Sequence, residues 1–341
     1  MIDTSVHVVA TTISGSISDW HKLDRIVPTF HGHGMSDVIL HSADSHREAR
    51  VLTSKAIRQG ATAIISAGGS GTFNSVLEGC YDSGVSLSKL KLGFLRKGSA
   101  DLIGKTLGMP DDVDRAVEIF VDAIENDHTI PCDVILARSA EGGDGPRHFV
   151  GYGGAEIFGR IPHFTENRFI KYYKGIFSQI FGDLGPFTVG MSVATMEKFA
   201  KSMGRSGSLW SIQVDGEKVS TERYQALLVL NGYLGPDLPF SSDPLGSGRI
   251  HLFGIRDLGC IRLLGQVKSA HDGSILKDPA RFGLEHFCAS KVLKMTPSQY
   301  ESFPVNVDGA TMNCRRAVEF QIVDSVPLFC APGLNARARL V

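Results

Sequence analysis

The sequence predicts an α/β N-terminal domain with a parallel sheet, followed by a mostly antiparallel β domain. Three observations predict it. Short β-branched runs alternate with helix-like stretches through the first third of the chain. The third of these runs passes directly into Gly68, Gly69 and Gly71. Beyond about residue 130 the strand candidates crowd together, and Asp215 followed by Gly216 between two apolar alternations is a hairpin signal.

The elements follow in order. Residues 5–12 (SVHVVATT) suit a buried strand, and 36–42 a second. Residues 45–59 read as a helix, with Ser45 and Glu48 at capping-box spacing and Gly60 as its stop. Residues 62–67 form the third strand, 74–80 a short helix, 90–95 the fourth strand, and 111–126 a helix after Pro110. Strands separated by helices imply right-handed crossovers. In the second part, 129–137, 148–152, 209–214, 225–231, 250–255 and 318–323 are strands. Apolar spacing makes 167–181 and 194–203 helices. The expected domains are 1–130 and 131–323, with 324–341 a tail packing back on the first.

Composition narrows the function classes. The chain has 341 residues, 43% hydrophobic and 21% charged, so it is a globular protein of two-domain length rather than a disordered one. Lys and Arg number 35 against 36 Asp and Glu, which argues against nucleic-acid binding driven by a large positive field. The apolar run at 226–230 stops at Asn231 and Gly232, far short of a membrane span. Asp3 and the lack of a basic cluster before the first apolar run make a poor signal peptide. The 6 cysteines form no CxxC pair, so buried free thiols in a cytoplasmic protein are expected.

The most informative stretch is 64–74, IISAGGSGTFN. Successive glycines after a strand let backbone N–H groups approach an anion, and the following helix N-terminus adds partial positive charge. Taken alone, a structural tight turn explains it equally well. It is neither a Walker A loop nor a GxGxxG fingerprint. The stretch resembles the GGDGT-x-N-E motif of the diacylglycerol kinase catalytic-domain family, which includes bacterial lipid kinases and sphingosine kinases, with NAD kinases as distant relatives. Further stretches fall in the family's order. Leu92 to Leu95, then Gly98, Ser99 and Asp101, then Leu107 to Pro110, look like its second glycine motif. Phe149 to Gly153 is similar to the strand opening its lipid-binding domain. Asn231-Gly232 and Val307-Asp308-Gly309 match its later motifs.

The resemblance implies a cleft between the domains that holds ATP, with a lipid alcohol on the second domain. It implies that Gly68, Gly69, Ser70, Gly71, Thr72 and Asn74 meet the nucleotide on one side and Gly98, Ser99 and Asp101 on the other. The departures are equally informative. Ser70 stands for the GGDGT aspartate, and Ser75 for the glutamate after the motif's Asn. Ser247 and His251 stand for two acids of a late loop, and Ala310 ends the final VDGE. Mg²⁺ favours carboxylate ligands, so these losses put the family's Mg²⁺ in question. Asp243 is placed to stand in for the missing acid, His251 has a suitable pKa for a base, and Glu156 falls where the family orients its acceptor. For each of these three the alternative is a solvated loop residue.

Other candidates carry less. His31 and His33, one residue apart without further ligands, read as a polar loop before a strand. Arg96 and Lys97 suit phosphate oxygens or solvent equally. Phe164 to Phe187 concentrates aromatics, read as helix core ahead of a substrate channel, and Arg168, Lys171 and Lys174 beside it leave room for peripheral membrane contact. The expectation is an ATP-dependent kinase of a lipid-like alcohol. The alternatives are an impaired member that only binds nucleotide or lipid, and a kinase of a non-lipid small molecule. A homodimer is left open.

Overall fold

The computed structural model describes residues 5–12, 20–96, 102–160, 208–235, 238–259, 262, 265–266, 269 and 274–334. Strands β1 (Val6–Thr11), β2 (Val38–Ala43), β3 (Ala63–Gly68) and β4 (Lys91–Arg96) are parallel, in the order β2-β1-β3-β4. β1 and β3 are buried along their whole length, which is why they read as unbroken apolar runs. The helices are α1 (Trp20–Gly32), α2 (His46–Arg58), α3 (Ser70–Ser83), α4 (Leu102–Thr106) and α5 (Val113–Glu125). α1 packs on α5 and α2 on α3. Ion pairs of Lys22 with Asp111 and Arg25 with Asp114 join the first pair, and Arg50 with Asp82 the second.

Local signals are honoured with two differences. Ser45 caps α2 by accepting from the Glu48 N–H, but the Glu48 carboxylate accepts from the Asp44 N–H, one residue beyond the usual capping-box partner. α3 begins at Ser70 rather than at residue 74, so half of the glycine turn is already helix. α1 was not expected: it carries Pro28 in its interior, yet it buries Ile26 and Phe30. The His31 and Gly32 expected in a loop are its last turn.

The second part contains β5 (Thr129–Ser139), β6 (Arg147–Phe149), β7 (Tyr152–Glu156), β8 (Ser208–Val214), β9 (Glu217–Leu230), β10 (Ile250–Arg256), β11 (Leu284–Ala289), β12 (Val292–Pro297), β13 (Ser302–Val307), β14 (Ala310–Arg315) and β15 (Val318–Phe329). Their pairings with one another are antiparallel. β15 pairs with β5 along its length, and its last turn of chain joins β4 in parallel at Leu328 and Leu92. One sheet therefore runs through both parts. Val326, Leu328, Phe329 and Cys330 share a core with the first four strands, to which β5, β7, β9 and β10 also contribute, while a second core lies within the antiparallel part.

The expected strand 148–152 is two strands, because the N–H groups of Val150, Gly151 and Tyr152 turn aside to a buried carboxylate, Asp308. β11 to β14 escaped the sequence reading; β11 is buried only at its two ends, β12 alternates buried with half-exposed positions, and the two carry Glu, His and Lys. Helices 167–181 and 194–203 lie outside the described residues. Cys80, Cys132, Cys314 and Cys330 are buried thiols, but Cys288 is exposed on edge strand β11, where alternate residues face out. Cys260 lies outside the described residues. No described helix is long and apolar enough to cross a membrane.

Candidate functional site

From β1 the chain runs outward to β2, and from β3 it runs the other way to β4. The carboxyl ends of β1 and β3 therefore open a crevice at a topological switch point, where α/β sheets bind ligands. Gly68 ends β3, Gly69 is the N-cap of the 14-residue α3, and Ser70, Gly71 and Thr72 form its first turn. The N–H groups of a first helical turn lack intrahelical acceptors and attract an anion. Across the switch point Thr11 Oγ1 lies 2.7 Å from Thr72 Oγ1, both buried. A Cβ at position 68 would stand 2.7 Å from Thr72 Cβ, so only glycine admits this packing. The His46 ring closes the side of the turn, 3.1 Å from where a Gly71 Cβ would be.

Ser70 faces the second part of the molecule. Its Oγ lies 2.9 Å from the Cβ position of Gly309, in the tight turn between β13 and β14. That turn needs positive φ at Asp308 (45°) and Gly309 (82°). Asp308 is fully buried, and its carboxylate accepts from the N–H groups of Val150 at 2.9 Å, Gly151 at 3.2 Å and Tyr152 at 2.8 Å. Burial pushes its pKa up to about 6, and the three N–H bonds hold it from rising further. Gly151 in turn accepts from the Asn231 N–H at 3.1 Å. The Asn231 amide donates to the carbonyls of Asp133 (2.7 Å) and Val150 (2.8 Å). Tyr233 N–H donates to the Asp243 carbonyl at 2.7 Å. From Ser70 to Asp243, one chain of packed and hydrogen-bonded loops forms a continuous wall.

At the end of this wall Asp243 Oδ2 lies 3.2 Å from His251 Nε2 and 3.6 Å from Arg249 Nη1. The His251 Nε2 direction lies off the oxygen, so a small turn of the carboxylate is needed to complete a hydrogen bond. Contacts between catalytic groups are often off line before substrate binds. The His251 side chain is 5% exposed and that of Asp243 28%, so Asp243 is the member a substrate can reach. Burial lowers the His251 pKa, with Asp243 opposing. Asp133, pushed up by burial, accepts from the Gly248 N–H at 2.6 Å and pins the loop between the two.

Gly68, Gly69, Ser70, Gly71 and Thr72 are thus brought together, and so are Asp243 and His251. Asn74 looks away from the turn: its amide donates to the His148 carbonyl on β6. One helical turn on, Glu78 accepts from the His148 N–H at 2.8 Å, and Tyr81 stacks on the His148 ring at 3.6 Å. Gly98, Ser99, Asp101, Lys97 and the aromatic stretch 164–187 lie outside the described residues. Glu156 (φ 59°) accepts from Trp210 Nε1 at 3.0 Å, beside a pocket lined by Arg160, Tyr300 and Phe303. Its partner on β9 is Ala226, whereas His251 pairs with Leu230, so the two stand about 13 Å apart along the strand. Arg96 donates to the Met109 carbonyl at 3.2 Å.

Thr11, Asp133 and His286, which meets His251 at 3.1 Å, were not singled out from the sequence. Only strand register and loop packing bring them to the site. Among the described residues no group of three or more His, Cys, Asp or Glu could hold a metal ion. With Ser70, Ser247 and Ala310 at the positions where acids were looked for, fewer carboxylates stand among the described residues for the Mg²⁺ that the resemblance implies.

Comparison with known proteins meets this geometry at the glycine turn. Residues 5–136 match the diacylglycerol kinase catalytic domain. The resemblance drawn from the glycine motifs is borne out over this stretch. A diacylglycerol kinase of Staphylococcus haemolyticus is 29% identical over 94 residues, 28% of this chain and 26% of that protein, so the alignment spans about a quarter of the relative. A diacylglycerol kinase structure from Bacillus anthracis superposes over 96% of this chain and 97% of its own, with a TM-score of 0.62 at 17% identity. An NAD kinase from Archaeoglobus fulgidus in complex with ATP covers 98% of this chain and 99% of its own, with a TM-score of 0.51 at 11% identity. These likenesses bear out the expected fold: an N-terminal α/β domain of kinase type and an antiparallel β region.

Proposed function

We propose that the chain is an ATP-dependent kinase that phosphorylates the hydroxyl of a lipid or lipid-like alcohol. The observation that carries this is the continuous wall joining the glycine turn at the switch point to the Asp243–His251 pair. Gly68 to Thr72 cradle the nucleotide phosphates through backbone N–H groups and the α3 terminus. Asp243 accepts the proton of the acceptor hydroxyl as its oxygen attacks the γ-phosphorus. The new O–P bond forms, the bond to the β-phosphate oxygen breaks, and ADP leaves. His251 steadies the carboxylate from behind. The match of residues 5–136 to the diacylglycerol kinase catalytic domain supports a lipid-like acceptor.

A second reading, binding without turnover, is favoured by the serines at positions 70 and 247. Titration with ATP, with and without Mg²⁺, followed by transfer from γ-labelled ATP to long-chain alcohols in mixed micelles, separates the two. The kinase reading expects transfer that falls at least about 100-fold in Asp243→Asn with ATP affinity retained. ATP binding without transfer to any alcohol, lipid or not, would leave only the binding reading.

A further inference from the structure

His251 touches more than Asp243. Its Nδ1 lies 3.1 Å from Nε2 of His286, which sits on the neighbouring strand β11. The ring centroids are 5.3 Å apart and the planes differ by 19°. At that nitrogen separation the rings must meet edge to edge, so the contact is an in-plane N–H···N hydrogen bond rather than a face contact. The His286 ring is itself held: it stacks on Phe253 at 4.4 Å with planes 5° apart. The arrangement is a line, Asp243–His251–His286, running from the cleft to the exposed edge of the sheet.

We propose that His286 is a positioning residue: by donating its Nε2–H to Nδ1 of His251, it fixes the His251 tautomer whose Nε2–H faces Asp243. This rests on the reading of Asp243 as the base for the acceptor hydroxyl. The logic is a donor count. An ionised carboxylate only accepts, so a favourable contact requires the proton of His251 on Nε2. Its Nδ1 is then an acceptor, and the atom against it must donate. His286 supplies that donor as imidazolium, which carries a proton on both nitrogens, and when neutral in its Nε2–H tautomer. Burial lowers the His251 pKa and so favours the neutral form, the one state in which its tautomer matters. The other charged or titratable groups around the line are Arg249, on the Asp243 side, and Cys288, which pairs with His251 across β10 and β11. β9 contributes Leu230, which carries no charge.

A tautomer held this way keeps one carboxylate orientation aimed into the cleft. Removing such an outer partner from a ligand histidine elsewhere typically costs about 10–100-fold in function.

The test is a long-range nitrogen–proton correlation spectrum of the histidines in the full chain near neutral pH, for wild type, His286→Gln and His286→Leu. The expected result is a protonated Nε2 and bare Nδ1 on His251 in wild type. Gln retains it, because its amide N–H donates from the same side, and Leu gives mixed tautomers. In the transfer assay kcat falls about 10-fold in His286→Leu, with KM for ATP unchanged, and recovers in His286→Gln. A wild-type His251 protonated on Nδ1, or a His286→Leu spectrum identical to wild type, overturns the proposal. So does a kcat drop of equal size in both variants. The expected tautomers in a chain that transfers no phosphoryl group would support the role of His286 and overturn the kinase reading instead.

Discussion

Asp308 links the stability of the protein to the geometry of the cleft, and its titration should be visible. The carboxylate is fully buried and has no cationic partner among its hydrogen bonds, only three backbone N–H groups. Burial raises its pKa from 3.8 to about 6 despite those bonds. A carboxyl whose folded pKa is raised contributes stability at low pH and loses it as pH climbs through the folded value. The difference corresponds to about 3 kcal/mol lost between about pH 4 and pH 7. Asp308→Asn keeps the shape and removes the titration. The stability of wild type relative to Asp308→Asn should therefore fall by about 3 kcal/mol over that range. Urea unfolding at pH 4.5 and about pH 7.5 captures about 2 kcal/mol of it, since about 1 kcal/mol is already lost at pH 4.5, with amide exchange at Gly151 and Tyr152 as a local readout. A wild-type–variant difference that is the same at both pH values would show that folding does not raise the Asp308 pKa and would refute the reasoning. Asp308→Ala is a different perturbation. It leaves three buried donors without their acceptor, so it should destabilise at every pH, by roughly 3 kcal/mol or more.

Three further outcomes are expected. Gly68→Ala drives a methyl to within 2.7 Å of Thr72 Cβ, so it should cost roughly 1–3 kcal/mol in thermal unfolding and weaken ATP binding by titration. Glu78→Ala strips the acceptor from the His148 N–H and leaves Asn74 and Tyr81 to hold α3 on β6; a loss of about 1–3 kcal/mol in urea unfolding is expected, and an unchanged midpoint would refute the contribution of this contact. Ser70→Asp brings a carboxylate against Gly309 and the phosphate cradle; ATP affinity should fall about 10-fold by titration, whereas Mg²⁺-dependent tightening would contradict the crowding seen at that position.

What was legible in the sequence is what the chain builds locally. The β3–glycine–α3 turn reads directly because strand, turn and helix are consecutive and glycine is the only residue that fits Gly68 against Thr72. Asp243 and His251 also read together, since one loop brings them to the start of β10. The rest of the site is assembled across the chain. Thr11 meets Thr72 only because β1 and β3 are sheet neighbours, and His286 meets His251 only through the register of β10 and β11. Asp308 was visible as part of a motif, but the nest of N–H groups that it holds comes from the distant β6–β7 corner. Helix α1 was masked by its interior Pro28, and β11 and β12 by polar residues on their open faces.

The same packing gives a physical account of the serine at position 70. Its short side chain sits against Gly309, the residue after a buried carboxylate whose pKa is already raised. A second acid there would add like charge beside Asp308 and beside incoming phosphates, with Gly309 too close to let it swing away. Negative charge is instead carried at the far end of the wall. There Asp243 stays partly open to solvent, with Arg249 and His251 beside it. A hydroxyl at position 70 can still meet a phosphate oxygen as a neutral donor, which a carboxylate cannot do. On the proposed kinase reading the division of labour is coherent in electrostatic terms: uncharged N–H and O–H donors toward the anionic nucleotide, and one carboxylate toward the hydroxyl that gives up its proton.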